Sequence, residues 1–165
     1  MKRILTLISI TFFLAAALLS CEKNTAKKQM KNIATVKTML KLLEQEKIKD
    51  MINLFAENGK QVNPYNSGLF PGEIKGKAAL LKFWKPVPGR FDGMKFPIKK
   101  IYPMKDPNVV LAVFTGKIKL KGGKGYYNND YYCIFKFNNQ GKIVEYVEIF
   151  NPVKVIKAFN LKDKI

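Results

Sequence analysis

Residues 126–137 read YYNNDYYCIFKF, residues 138–141 read NNQG, and residues 142–152 read KIVEYVEIFNP. Two runs rich in β-branched and aromatic side chains flank the turn Asn138-Asn139-Gln140-Gly141, the pattern of two strands joined by a hairpin. The first strand is expected from Tyr126 to Phe137 and the second from Lys142 to Phe150. Side chains alternate between the faces of a strand. If Cys133 points into the protein, so do Tyr131, Phe135 and Phe137, and on the second strand Glu148 points in with Tyr146 and Phe150. The opposite face then carries Tyr132 and Ile134 on one strand and Ile143, Val147 and Ile149 on the other, with Glu145 as a solvated outward residue.

Working outward, Asn108–Leu120 is a further strand-rich run, and Lys121-Gly122-Gly123-Lys124 turns it into the hairpin. Met94–Tyr102 alternates in part. The N-terminal half has another period. Ile33, Val36, Leu40 and Leu43 recur at helical spacing, which predicts a helix over 32–46. A short helix follows over 48–55, stopped by Asn58-Gly59, then a short strand over 61–64 and a loop over 65–73. Lys77–Trp84 is a third helix, ended by Pro86 and Pro88. Asn151-Pro152 opens a terminal helix with Asn151 as its cap. Helices first and meandering strands second predict an α+β fold, with helices on one face of the sheet.

The far N-terminus reads differently. Met1-Lys2-Arg3 places positive charge before an apolar run from Ile4 to Leu19, and Leu18-Leu19-Ser20-Cys21 closes it. That order is a secretory signal over 1–20, shorter than the roughly 20 apolar residues of a spanning helix. The Leu-Leu-Ser-Cys ending resembles the lipobox of bacterial lipoproteins, which implies a diacylglycerol on the Cys21 thiol. Acyl chains contribute roughly 0.8 kcal/mol per buried CH₂, so two or three hold a domain at a membrane. The expected division is signal 1–20, polar tether 21–31 and domain 32–165, in a protein exported and lipid-anchored to a bacterial membrane.

The chain of 165 residues carries a net charge of +18. Without Lys2 and Arg3, 28 basic side chains face 12 acidic ones, about +16. Arg90 is then the sole arginine; base and phosphate recognition favours the forked guanidinium, so nucleic acid is not an expected partner. Lys117, Lys119, Lys121 and Lys124 read as a solvated strand edge. With no histidine, and Ser67 the single serine after the signal, Ser-His-Asp and Cys-His catalysis are excluded. So are the usual histidine-bearing zinc sites. No phosphate loop or dinucleotide fingerprint occurs, so no metal and no cofactor are expected. With Cys21 taken by lipid, Cys133 has no disulfide partner.

Three stretches together resemble the nuclear-transport-factor-2-like superfamily, also called SnoaL-like or ketosteroid-isomerase-like. They are Leu54–Gly59 followed by Asn63-Pro64, Ile74–Leu80, and Tyr131–Pro152. Asp106-Pro107-Asn108, Gly125–Asn129 and Glu148-Ile149-Phe150-Asn151 place the chain nearest the phenazine-biosynthesis A/B type. The resemblance covers roughly residues 32–160. It implies a cone: a curved, mostly antiparallel sheet with three N-terminal helices on its concave face, a short C-terminal helix and a pocket between.

The chemistry of the superfamily transfers poorly. The isomerase base falls at Asn63, its carboxylic acid donor at Cys133 and its helix-one tyrosine at Met39. An amide cannot abstract a proton and a thioether cannot donate one, so that mechanism is rejected. In the phenazine-type relatives a Glu before the final Asn matches Glu148. Their pocket His falls near Phe83 or Trp84, and their Arg near Met51, so the Glu alone carries over.

The expected pocket set is Asn63, Trp84, Tyr131, Cys133, Phe135, Tyr146, Glu148 and Phe150, an aromatic enclosure with one carboxylate. Plain core packing is the alternative for the aromatics, and Trp84 fits either the cone mouth, with Tyr65 and Phe70, or the core. Enclosure would raise the pKa of Glu148. Three functions remain open. One is a non-catalytic, membrane-tethered module binding a small apolar or aromatic molecule. Another is a lyase or isomerase with Glu148 as its acid/base. The third is a scaffold acting through the outer sheet face. So much apolar surface on that face calls for cover, and a homodimer is the expected one.

Overall fold

The computed structural model describes residues 2–161 apart from 67 and 69, with side chains from residue 22 onward. The stretch expected to be an export signal and the expected lipid site at Cys21 therefore lie outside the described side chains. Helix α1 runs Lys2–Glu44. The stretch 22–31, read as a tether, is helical in the structure. No glycine or proline interrupts it, and Lys, Ala, Gln and Met are good helix formers. It also docks: Lys28 Nζ donates to Asn139 Oδ1 at 3.0 Å and Gln29 Nε2 to the Met104 carbonyl at 3.1 Å. Val36, Met39, Leu40 and Leu43 form the buried stripe of α1. Among the described residues no helix is long and apolar enough to cross a membrane.

Helix α2 (Ile48–Ile52) is shorter than expected, and strand β1 (Phe55–Val62) follows directly. The Asn58-Gly59 pair read as a helix stop lies inside that strand. Its glycine answers a packing demand: a Cβ at position 59 would sit 2.8 Å from the Ile143 carbonyl and 2.9 Å from the Ala56 carbonyl. Strand β2 (Glu73–Lys75) and helix α3 (Lys77–Trp84) come next. The stretch 94–102, which alternates in part, falls across two strands, β3 (Phe91–Lys95) and β4 (Ile98–Pro103). Proline has no N–H for a ladder, and the chain breaks at Phe96-Pro97, where the Glu44 carboxylate accepts from the Phe96 N–H at 2.6 Å.

Strands β5 (Val109–Leu120), β6 (Tyr126–Phe137) and β7 (Ile143–Phe150) form the long antiparallel meander, and α4 (Pro152–Phe159) ends the described fold. Asn151 caps α4, its Oδ1 accepting from the Val153 N–H at 3.0 Å. The seven strands make one curved sheet in the order β2-β1-β7-β6-β5-β3, with β4 also on β5. Every pairing is antiparallel except β1 with β7. The fold is thus α+β, as expected, with helices on the concave side.

One face assignment changes. Lys136 pairs Glu145 while Phe137 pairs Ile143, so Val144 is an extra residue in β7. A bulge of one residue flips the side-chain parity beyond it. Ile143, expected on the outer face, is fully buried in the core. Tyr132 stays outside at 52 % exposure, and Ile134, Val147 and Ile149 are partly exposed beside it.

Candidate functional site

Helices and sheet do not close on one another completely. Between them lies a cavity of about 370 Å³, bounded by Met39, Leu40 and Leu43 of α1, Trp84 of α3, Val155 and Phe159 of α4, and the concave wall of the sheet. Six of the eight residues expected to line a pocket do line it: Asn63, Trp84, Tyr131, Tyr146, Glu148 and Phe150. Cys133 and Phe135 do not. They face inward, but behind the wall: the Phe135 ring stacks on Tyr146 with centroids 4.8 Å apart, and the Cys133 thiol lies 3.5 Å from the Tyr146 hydroxyl. Strand parity selects a face but does not decide whether that face meets packing or space: Glu148 and Tyr146, paired directly with Cys133 and Phe135, do line the cavity. Phe70 and Phe83 line the cavity; Tyr65 is exposed away from it, and Met51 is buried elsewhere in the core.

Glu148 is held by two donors. Its Oε2 accepts from Gln61 Nε2 at 3.0 Å and its Oε1 from the Tyr146 hydroxyl at 2.9 Å. The orientation of Gln61 follows from Trp84. An indole N–H can only donate, and Trp84 Nε1 donates to Gln61 Oε1 at 2.8 Å. The amide nitrogen of Gln61 must then face the other way, towards Glu148 and towards Asn63 Oδ1 at 2.9 Å. Asn63 in turn donates to the Pro71 carbonyl at 2.9 Å, so it braces the network and offers no base.

Loss of solvent raises the Glu148 carboxyl from its ordinary 4.5 to about 7, the Tyr146 hydrogen bond acting the other way. Some of its side chain remains accessible, and it is one of the groups that line the cavity. A carboxyl that changes charge near neutral pH suits proton transfer or capture of a hydroxyl. Burial also lifts the Tyr146 phenol and the Cys133 thiol well above their usual values, so both stay neutral beside it.

Sequence reading missed several residues here. Gln61, on β1, lies two residues before Asn63, which follows the end of that strand, and their side chains meet. The alternation that admitted Asn63 admits Gln61 as well. Gln61 braces Glu148 from behind the lining, whereas Tyr127 and the α4 residues line the cavity, as does Arg90, an exposed residue of the short 3₁₀ turn Pro88–Arg90. No sequence signal marks Arg90 as a cavity residue. Among the described residues no cluster of three or more His, Cys, Asp or Glu could hold a metal ion.

Comparison with known proteins bears on this geometry. The family model of the SnoaL-like domain matches residues 36–146. No curated protein sequence matches the chain. Among solved structures, a proposed isomerase from Bacillus subtilis is similar, with 25% identity, a TM-score of 0.72, and coverage of 81% of this chain and 95% of that one. A phenazine biosynthesis-related protein from Pseudomonas aeruginosa shares 24% identity over 84% of this chain and 90% of that one, with a TM-score of 0.69. A pinacolase from Penicillium brevicompactum shares the fold at 15% identity and a TM-score of 0.68, covering 81% of this chain and 95% of that one.

Proposed function

The chain belongs to the SnoaL-like domain family, and from that premise we propose that it is a membrane-tethered module that binds a small, largely apolar or aromatic molecule. The observation that carries this reading is the cavity of about 370 Å³, walled by aromatic and aliphatic side chains, with Glu148 fixed in its lining. Small-molecule sites of roughly 300 to 1,000 Å³ have this character: apolar walls and a few placed polar groups. Native mass spectrometry of protein purified without denaturant should show a retained species of small-molecule mass. Filling the space with Val87→Trp should remove it. A wild-type chain that carries no such species and takes none up from a panel of aromatic compounds would end the proposal.

The tether in this reading is the lipid on Cys21, supported by the Leu18-Leu19-Ser20-Cys21 ending. Cys21→Ala should move the protein from the membrane pellet to the soluble fraction. The outer face with Tyr132, Ile134, Val147 and Ile149 is proposed to pair two copies of the chain. Ile134→Glu should then convert a dimer into a monomer by light scattering.

A second reading is an enzyme of lyase or isomerase type, with Glu148 as its acid/base. The Glu148 value of about 7 favours it, because proton-transfer groups work best when poised near ambient pH. In that case Glu148→Gln abolishes turnover and leaves the fold intact, whereas a binding module keeps its ligand.

A further inference from the structure

A second polar cluster, built on β6 by Asn129, Tyr127 and Tyr131, stands away from the Glu148 network, and its two tyrosines line the cavity. Asn129 Oδ1 accepts from two backbone N–H groups, those of Asp130 at 3.0 Å and Asn151 at 3.2 Å. Those donors fix the orientation of the amide. Its nitrogen must therefore donate, and it does so to the Asn151 carbonyl and to the Tyr127 hydroxyl, each at 2.9 Å. The Tyr131 hydroxyl reaches the Tyr127 hydroxyl at 3.2 Å.

The protons can be counted. Two phenols carry one O–H proton each, and their mutual contact consumes one. The Asn129 N–H occupies a lone pair and takes no proton. One phenolic proton therefore has no acceptor among the described residues, whichever way the mutual bond runs. Both rings line the cavity. The Tyr131 ring lies flat on Phe114, centroids 5.0 Å apart, and against Gly116, where a Cβ would come within 2.8 Å of it. Burial raises both phenols, so neither ionises near neutral pH. Cys133 faces Glu148 across the β6–β7 ladder. Tyr131 is thus a diagonal neighbour of Glu148, a separation of about 7 to 8 Å in an antiparallel pair.

We propose that the Tyr127–Tyr131 pair is an oxygen-recognising subsite, a single spare phenolic donor for a carbonyl on a bound molecule whose hydroxyl reaches Glu148. This rests on the small-molecule reading and narrows it to compact aromatic or alicyclic hydroxy-carbonyl compounds.

Two neutral probes of matched shape test it: para-(hydroxymethyl)acetophenone, which has the carbonyl, and para-ethylbenzyl alcohol, which lacks it. Binding is measured by calorimetry at about pH 8, above the Glu148 value of about 7. The double variant Tyr127→Phe/Tyr131→Phe should weaken the ketone about fivefold, the loss of one neutral hydrogen bond, and leave the alcohol unchanged. Each single variant still leaves one spare phenolic proton and should weaken the ketone less than the double. Infrared difference spectra of the ketone on the wild-type protein should show its carbonyl stretch below the value in an apolar solvent, a readout independent of how the variants fold. An unshifted stretch, or equal losses for both probes, overturns the subsite while the cavity reading stands. A wild-type chain that binds neither probe overturns the subsite, and the cavity reading then rests on the retained species alone.

Discussion

Glu145 and Glu148 lie three residues apart on one strand, and the sheet gives them opposite chemistry. Glu145 faces outward between two lysines, with Lys136 Nζ at 2.7 Å and Lys60 Nζ at 3.3 Å and its side chain 19% exposed. Those partners hold its carboxyl below the ordinary value. Glu148 faces inward, where neutral donors replace water and no salt bridge among the described residues compensates, and its carboxyl rises to about 7. The difference teaches that two neutral hydrogen bonds do not make up for lost solvation, whereas two ammonium groups at the surface do.

The largest test of that contrast is pH-dependent stability. The folded chain binds the Glu148 proton more tightly than the unfolded chain does. Its stabilising contribution is therefore complete below about 4.5 and is lost as pH rises through about 7, a swing of about 3 kcal/mol. Denaturant unfolding of wild type and Glu148→Gln at pH values on both sides of that window should show the variant gaining relative stability as pH rises. A gap that does not change with pH breaks the comparison.

Next comes the support of the inward carboxylate. Gln61→Leu strands the Trp84 N–H and the Asn63 carbonyl oxygen, and it should cost about 2 kcal/mol by thermal unfolding. Tyr146→Phe removes a hydrogen bond that lowers the Glu148 value. Carbon NMR should find Glu148 titrating above about 7 in that variant, with a stability loss of about 1 kcal/mol. The smallest effect belongs to the outward partner. Glu145→Gln should cost below about 1 kcal/mol at neutral pH, because partly solvated ion pairs contribute little. Its folded value is depressed, so that contribution is lost as pH falls below the ordinary 4.5, the reverse of Glu148.

Much of the fold was legible locally. Helix α3 and strand β6 begin and end where the residue pattern places them, and Asn151 caps α4 as its side chain and the following proline predict. These elements are set by neighbours in sequence. Strand β1 was misread because Asn58-Gly59 has the local look of a helix stop. Its true role appears only when the distant Ile143 backbone packs against it. Ile143 was placed outside for the same reason: nothing in Lys142–Phe150 announces the bulge at Val144, which arises from pairing with two neighbouring strands at once. In the candidate site, six lining residues followed from alternation and resemblance. Gln61, which holds Glu148 from behind the lining, follows from the same alternation.

The order of residues alone determined that Glu148, Tyr146 and Tyr131 share one face, because an unbulged strand repeats every two residues. It did not determine whether that face would meet packed side chains or open space. Cys133 and Phe135 share the inward face and ended behind the wall; Tyr131 and Glu148 ended on the cavity. That outcome depends on the curvature of seven strands and on where α1, α3 and α4 come to rest, distances summed over the whole chain and written in no single stretch of it.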